Sequence, residues 1–389
     1  MKKFTYISLF TGAGGLDIGL ERAGFRAIAL NEIEPVFCDT LRQNQSVTHG
    51  DGIRYFESAR IINADVRDLS GSDLAGVSSP DLVVGGPPCQ AFSSSGKQLS
   101  VLDARGQLVN EFVRVVDELK PRMLLFENVR GIVTARDASG EPGGVIRQLL
   151  DRFQDLGYSC RATLLNSADY GAYQRRVRCF IVGTANGTAP AFPEPTHQKN
   201  GDMLHKQWNS LRMFLEKHAD RDRKNYAYPT NSLGQQLESL PNGSGLKSQG
   251  RAEKTRPGGH WGYRQGTFIA DLDLPARTVT GSSSQDWIRW GGDLRRLTLQ
   301  EVKLLQGFPI DWAIAGNRVQ KFKQIGNAVP TIFGELIGAM INKFLHSFPA
   351  TPPIRIEMPN RFNGYIDYTK RDHARNGETR VVHKHFQSG

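Results

Sequence analysis

Asp81-Leu82-Val83-Val84-Gly85-Gly86-Pro87-Pro88-Cys89-Gln90 is the stretch from which the fold of this chain can be read. Leu82 to Val84 form a short apolar run, as a buried strand requires. Two glycines and two prolines then stop it, because proline cannot donate to a sheet ladder and glycine releases the backbone into a turn. A cysteine follows directly. In an α/β sheet, ligands bind at the carboxyl ends of the strands. Cys89 is therefore delivered to that edge on a backbone stiffened by its prolines. A buried structural cysteine behind a tight turn is the alternative, since free cysteine is among the most buried residue types.

Upstream, residues 4–10 form a first strand, and Thr11-Gly12-Ala13-Gly14-Gly15 turns it into a helix whose Leu16, Leu20 and Ala23 share one face. Glycines there let a ligand approach the backbone, and a helix N-terminus favours negative charge. Arg26 to Leu30 give a second strand ending at Asn31-Glu32, and Glu32 lies 20 residues beyond Gly12. A carboxylate at that spacing is placed to accept hydrogen bonds from ribose hydroxyls, although a solvated glutamate would read the same way. The loop departs from the dinucleotide pattern, so a smaller nucleoside ligand fits as well as a dinucleotide. A third strand over 61–66 places Asp65 near its end.

Downstream, Ser93 to Gly106 read as a polar loop, a candidate lid. Gln107 to Leu119 read as a helix with Leu108, Phe112, Val115, Val116 and Leu119 on its apolar face, stopped by Pro121. Arg122 to Phe126 make another buried strand that ends in Glu127-Asn128-Val129. An amphipathic helix over 145–156 follows, then strands over 161–165 and 177–182. Between these strands lies Gln174-Arg175-Arg176-Val177-Arg178. If that segment is extended, Arg176 and Arg178 share a face and can point into one cleft. Strands alternating with helices up to about residue 185 call for a parallel sheet covered by helices.

Composition changes after that point. Residues 186–294 are rich in Gly, Pro, Ser, Asn and Gln, and from 197 to 296 there are 16 Lys+Arg against 10 Asp+Glu, a net of +6 out of +10 for the chain. Lys247, Arg251, Lys254, Arg256 and Arg264 alternate with glycines, His260, Trp261 and Tyr263, a composition suited to phosphate contacts and groove-reading loops. Periodicity returns at Thr298, whose spacing to Glu301 forms a capping box, with Gly307 as helix stop. Pro330 opens a long amphipathic helix, and residues 349–389 read as a polar tail. Excess positive charge favours a polyanionic partner. Four widely spaced cysteines, Cys38, Cys89, Cys160 and Cys179, read as reduced thiols without metal-ligand spacing, so no metal is expected. No apolar run of membrane-spanning length stands out, and a cytoplasmic protein is expected.

The chain resembles the DNA cytosine-5 methyltransferases, most closely the bacterial modification type. The matching segments are Phe10 to Gly15, Gly86 to Gln90, Glu127-Asn128-Val129, Gln174 to Arg178, Arg296 to Pro309 and Gly326-Asn327-Ala328-Val329-Pro330, in the family's order over residues 4 to about 346. The resemblance implies a Rossmann-like S-adenosylmethionine-dependent methyltransferase domain over 1–185, a smaller and mostly irregular target-recognition domain over 186–294, and a return to the catalytic domain over 295–348. It implies that S-adenosylmethionine is held by Phe10, Gly12, Gly14, Gly15, Glu32, Ile33, Asp65, Pro88 and Asn327. Cys89 would be the nucleophile, Glu127 the partner of the cytosine ring nitrogen, and Arg176 and Arg178 clamps on the base. Arg105, Lys247, Arg251, Lys254, Arg256 and Thr278 would touch DNA. The implied partners are double-stranded DNA, on which the chain works as a monomer in the nucleoid, and a restriction endonuclease acting on the same site without a stable complex. Two rival readings share the scaffold: an RNA cytosine-5 methyltransferase and a catalytically silent DNA-binding protein. Over a hundred residues in the recognition block count against the first, and the intact Cys89, Glu127 and arginine set against the second.

The residue types suit that chemistry. Carbon 5 of cytosine is a weak nucleophile until a thiolate adds at carbon 6. An acid at ring nitrogen 3 offsets the charge that develops, and the base must first leave the duplex stack.

Overall fold

The computed structural model describes residues 3–45, 47–76, 79–88, 107–246, 267–367 and 369–370. Its first half alternates strands and helices: β1 (Thr5–Leu9), α1 (Gly15–Arg22), β2 (Arg26–Glu32), α2 (Pro35–Gln45), β3 (Arg60–Asn63), α3 (Gly71–Ala75), β4 (Leu82–Gly85), α4 (Gln107–Leu119), β5 (Met123–Val129), α5 (Gly144–Asp155), β6 (Ser159–Asn166) and β7 (Val177–Thr184). The seven strands form one sheet in the order β3-β2-β1-β4-β5-β7-β6. β1 pairs parallel to β2 and β2 parallel to β3, the pattern expected of strands joined through helices.

The sheet is mixed rather than purely parallel. β7 runs antiparallel to β5, with Glu127 opposite Phe180 and Val129 opposite Arg178. Only residues 167–176, a 3-10 turn over Ser167–Tyr170 and a loop, join β6 to β7. That length is too short for the crossover a parallel neighbour needs. The same pairing extends β5 through Val129, so Glu127 stands within a strand instead of just past its end.

The chain divides into two compact units whose boundary passes through β4. The first comprises Met1–Val83, Leu165–Val177 and Phe192–Ser347; the second comprises Val84–Leu164, Arg178–Ala191 and Phe348–Gly389. The boundaries expected near 185 and 295 are not those of the units, because residues 192–296 pack with 165–177 and with the C-terminal helices.

In the first unit, Ile7, Leu9, Ile18, Leu20 and Leu30 are fully buried. The recognition block adds β8 (His197–Gln198), β9 (Lys206–Gln207), α6 (Leu211–His218), α7 (Asn231–Glu238), β10 (Ser244–Gly245), β11 (Phe268–Ile269), β12 (Trp287–Trp290) and β13 (Asp293–Arg296). The last four form a small sheet in that order, over a cluster of Leu237, Ile269 and Trp287. α8 (Leu299–Leu305), α9 (Arg318–Asn327) and α10 (Thr331–His346) close the unit. Thr298 and Glu301 make the expected capping box at α8. Residues 318–346 are long and apolar enough on average to cross a membrane, by length and composition only. They are two helices broken at Ala328-Val329-Pro330, and α10 packs along α1.

In the second unit, Phe112, Phe126 and Phe153 meet edge to face with ring centroids 5.4 to 6.3 Å apart, a geometry that adds about 0.5–1.5 kcal/mol per pair beyond area burial. Residues 349–370 are not a loose polar tail. Arg355 pairs with Asp151 and Gln154 donates to the Ile356 carbonyl. Residues 360–367 form a helix that buries Phe362 and Ile366. Single apolar residues spaced among charges hid that face.

Candidate active site

In the first unit the turn after β1 is held open by backbone bonds. Phe10 adopts φ 57°, a left-handed conformation that a bulky residue keeps only where its surroundings impose it. The Thr11 amide donates to the Asn31 carbonyl at 3.0 Å. Glu32 is buried at the end of β2, and its two carboxylate oxygens each accept one backbone amide, from Gly12 at 2.8 Å and from Glu34 at 2.9 Å. Burial pushes the Glu32 carboxyl upward, against the stabilising amides of Glu34, Gly12 and Ile33. A carboxylate has about four lone-pair sites, so after these amides Glu32 keeps acceptor capacity for a ribose hydroxyl. Ile33, next to it, is 57% exposed, an apolar surface available to a flat ring. Asn63 fixes this corner by donating to the Glu32 and Ile33 carbonyls.

Asp65 caps the following 3-10 turn and is gripped by Arg67 through Nε at 3.0 Å and Nη2 at 2.5 Å. That guanidinium holds its carboxyl below the usual carboxylate range. Asn327 ends α9 with its side chain exposed. The donor set fits S-adenosylmethionine: a buried carboxylate with spare acceptors, an apolar face beside it and a glycine turn.

In the second unit β4 enters Gly86-Pro87-Pro88, and Asn128 donates to the Pro87 carbonyl at 3.2 Å. That amide tie was not read from the sequence, although an Asn directly after a strand-end Glu was the available signal. Glu127 and Arg178 lie on one face because Arg178 is opposite Val129, two residues from Glu127. Arg178 Nε sits 3.1 Å from Glu127 Oε1, and both side chains are 10% exposed. A Cβ built on Gly86 would lie 2.7 Å from Glu127 Oε2, so residue 86 has to be glycine for the carboxylate to stay where it is. Burying an ion pair costs desolvation that only good geometry offsets. Pro88 is exposed at the end of this turn. Cys89, Arg105, Lys247, Arg251, Lys254 and Arg256 lie outside the described residues. Cys38, Cys160 and Cys179 are buried. Burial pushes Cys38 up to about 11 and Cys160 up to about 12, so neither is a reactive thiolate near neutral pH.

Arg176 lies in the first unit. It precedes β7 and is 2% exposed, and its guanidinium donates to the carbonyls of Val279 at 2.7 Å and Gly326 at 2.8 Å. Two arms of its fork thus bond backbone carbonyls, and the residue lies just before β7, which begins at Val177. Thr278 donates its hydroxyl to the Arg175 carbonyl at 2.9 Å.

A mixed Rossmann-like sheet, a glycine turn next to a buried carboxylate, and a dry Arg–Glu pair beside a Gly-Pro-Pro turn suit an S-adenosylmethionine-dependent methyltransferase. The model of the C-5 cytosine-specific DNA methylases matches residues 4–343, and the chain belongs to that family. It is therefore a DNA cytosine-5 methyltransferase. Among its relatives are the Type II methyltransferases M1.HphI of Haemophilus parahaemolyticus, 32% identical over 87% of each chain, and M.NgoMIV of Neisseria gonorrhoeae, 30% identical over 88% of this chain and 98% of that one. Solved structures with the same fold include a DNA modification methyltransferase from an E. coli prophage, with TM-score 0.61, 22% identity and coverage of 88% and 99% of the two chains. The S. pombe Dnmt2 methyltransferase gives TM-score 0.61 at 15% identity, covering 89% and 99%.

Proposed function

We propose that this chain methylates carbon 5 of one cytosine within a fixed duplex DNA word, as the modification half of a Type II restriction–modification system, with Cys89 as its nucleophile. The observation that carries the residue assignment is the Arg178–Glu127 pair on the β5–β7 face beside the Gly86-Pro87-Pro88 turn. S-adenosylmethionine supplies the electrophilic methyl. Glu32 accepts its ribose hydroxyls, Phe10 and Ile33 enclose its adenine, and Asn327 lines its site. Gly12, Gly14, Gly15, Asp65 and Pro88 complete that list, Asp65 through the lone pair its bonds to Arg67 leave on Oδ2. Cys89 Sγ adds to carbon 6 of the flipped base, which makes carbon 5 nucleophilic. Glu127 holds a proton at ring nitrogen 3, and Arg178 keeps that carboxylate oriented at the base. Loss of the carbon 5 proton and of the thiol then restores the ring.

Lys247, Arg251, Lys254, Arg256 and Arg105 contact DNA phosphates, and the recognition block selects the word. The protein works in the cytoplasm as a monomer, on nucleoid DNA, and a separate endonuclease cuts the unmodified site. The experiment is to express the chain in methylation-free cells and map 5-methylcytosine by bisulfite sequencing. Methylation confined to one word is the expected result. Methyl transfer to tRNA but not to duplex DNA would replace this reading.

A further inference from the structure

The segment that leads out of the recognition block toward its last strands is clamped from two sides. The Val279 peptide is held at both ends: its N–H donates to Gln174 Oε1 at 2.8 Å, and its carbonyl accepts Arg176 Nη1 at 2.7 Å. Upstream, Arg175 N donates to the Ala276 carbonyl and Ala276 N to the Tyr173 carbonyl, each at 2.8 Å. Residues 276–279 thus lie as a strap along 173–176. The same two anchoring side chains reach the C-terminal helices. Gln174 Nε2 donates to Gln306 Oε1 at 2.9 Å, and Gln306 Nε2 donates to the carbonyls of Ile325 and Ala328. Arg176 Nη2 takes the Gly326 carbonyl.

Gly326 is the point of closest approach. A Cβ there would lie 2.0 Å from the Thr280 carbonyl carbon and 2.1 Å from Gly281 N. Backbone rests on backbone, and only glycine permits it. Beyond it, a Cβ on Gly281 would lie 3.3 Å from Asn327 Oδ1. The strap therefore runs beside the residue placed at the cofactor. Arg176 bonds the strap with one arm of its fork and the residue preceding Asn327 with the other. A guanidinium is planar and rigid, so the two carbonyls keep a fixed separation; a lysine ammonium on a flexible stem does not impose one.

We propose that Arg176 is a positioning residue that locks the recognition strap 276–281 to Asn327, so that cofactor binding and DNA-word recognition are energetically coupled through its guanidinium. The proposal rests on the reading of Asn327 as a cofactor contact and of the strap as part of the recognition block. Coupling of this kind is reciprocal and has a typical size of about 5–150-fold in affinity.

The test measures binding and not turnover. A duplex recovered from random-sequence DNA by selection on the native chain is titrated by fluorescence anisotropy, with and without saturating S-adenosylhomocysteine. The ratio of the two dissociation constants is the coupling factor. The native chain should show at least about fivefold. Arg176→Lys should cut that factor at least by half while the dissociation constant for S-adenosylhomocysteine alone stays within about twofold, and should raise KM for DNA more than it lowers kcat. Thr278→Val, which removes only the strap's hydroxyl bond to Arg175, should move the factor in the same direction and decides the matter if Arg176→Lys does not fold. Arg178→Lys should lose methyl transfer and keep the coupling factor. A native factor of one, an unchanged factor in the folded Arg176→Lys and Thr278→Val variants, or an equal loss in Arg178→Lys would overturn the proposal. Absence of 5-methylcytosine from cells expressing the native chain would overturn the methylation reading and leave the binding measurement standing.

Discussion

Gly86→Ala is the smallest change that tests the site. The added methyl would lie 2.7 Å from Glu127 Oε2, and ordinary contact begins near 3.4 Å, so the carboxylate must retreat by about 0.7 Å. It cannot do so freely, because Oε1 is held by Arg178 Nε at 3.1 Å and the pair is 90% buried. Overpacking of this kind costs about 1–3 kcal/mol, and a reacting group displaced by about 1 Å costs on the order of a hundredfold in rate. Single-turnover transfer of tritiated methyl to duplex DNA should therefore slow by about 10- to 100-fold. Affinity for S-adenosylhomocysteine should stay within about twofold, since Glu32 and its neighbours are untouched. A double-mutant cycle isolates the cause. In a Glu127→Ala background there is no carboxylate to displace, and Gly86→Ala should add almost nothing. Turnover of Gly86→Ala within twofold of the native chain, or an equal loss in both backgrounds, would show that Glu127 need not stand where the structure puts it.

Other outcomes follow from the same geometry. Cys89→Ala should abolish methyl transfer, and a duplex with 5-fluorocytosine at the target should trap a denaturant-stable adduct that peptide mapping assigns to Cys89; an adduct elsewhere would move the nucleophile. Glu32→Ala should weaken S-adenosylhomocysteine binding by about 1.5–3 kcal/mol through lost charge-assisted hydrogen bonds. Because burial raises the Glu32 pKa, calorimetry on the native chain should show affinity falling on acidification earlier than an ordinary carboxylate allows, with Glu32→Gln flat. Burial raises Asp17 from 3.8 to about 7, so its proton stabilises the folded state fully near pH 4, and that stability is lost as pH rises to about 7. Asp17→Asn should therefore gain on the native chain over this interval, by up to about 4 kcal/mol in denaturant unfolding; a constant difference across pH would exclude Asp17 as the source. Ile366→Ala should cost about 2–4 kcal/mol of stability, whereas a free tail would cost none.

The strands and helices that place the site were legible because their signals are local. α4 ends where its apolar stripe and Pro121 require, and Thr298 with Glu301 marked the start of α8. The Gly12-to-Glu32 spacing carried over into a direct amide–carboxylate bond. What sequence could not supply were facts set by tertiary partners. The antiparallel β7 depends on a connection length whose consequence appears only once its neighbour is known. The small sheet β10-β11-β12-β13 is built from strands of two to four residues, shorter than any alternation can register. Residues 349–370 were read as a tail because Phe362 and Ile366 sit singly among polar residues, yet both are buried.

Arg176 and Arg178 show how a sequence spacing depends on where a strand begins. A spacing of two puts side chains on one face only if both residues are in a strand, and β7 starts between them at Val177. Arg178 inherits the sheet's alternation and meets Glu127. Arg176 lies in the preceding loop, where Ser167 fixes its backbone through bonds at its N–H and its carbonyl, and its side chain is free to turn to Val279 and Gly326. The two arginines thus hold different partners: Arg178 meets Glu127, and Arg176 bonds the carbonyls of Val279 and Gly326. A substitution series that treats them as equivalent clamps would record two inactive enzymes and miss the difference. Turnover at saturating DNA and cofactor separates them, because a misplaced strap is partly restored by excess ligand and a lost partner of Glu127 is not.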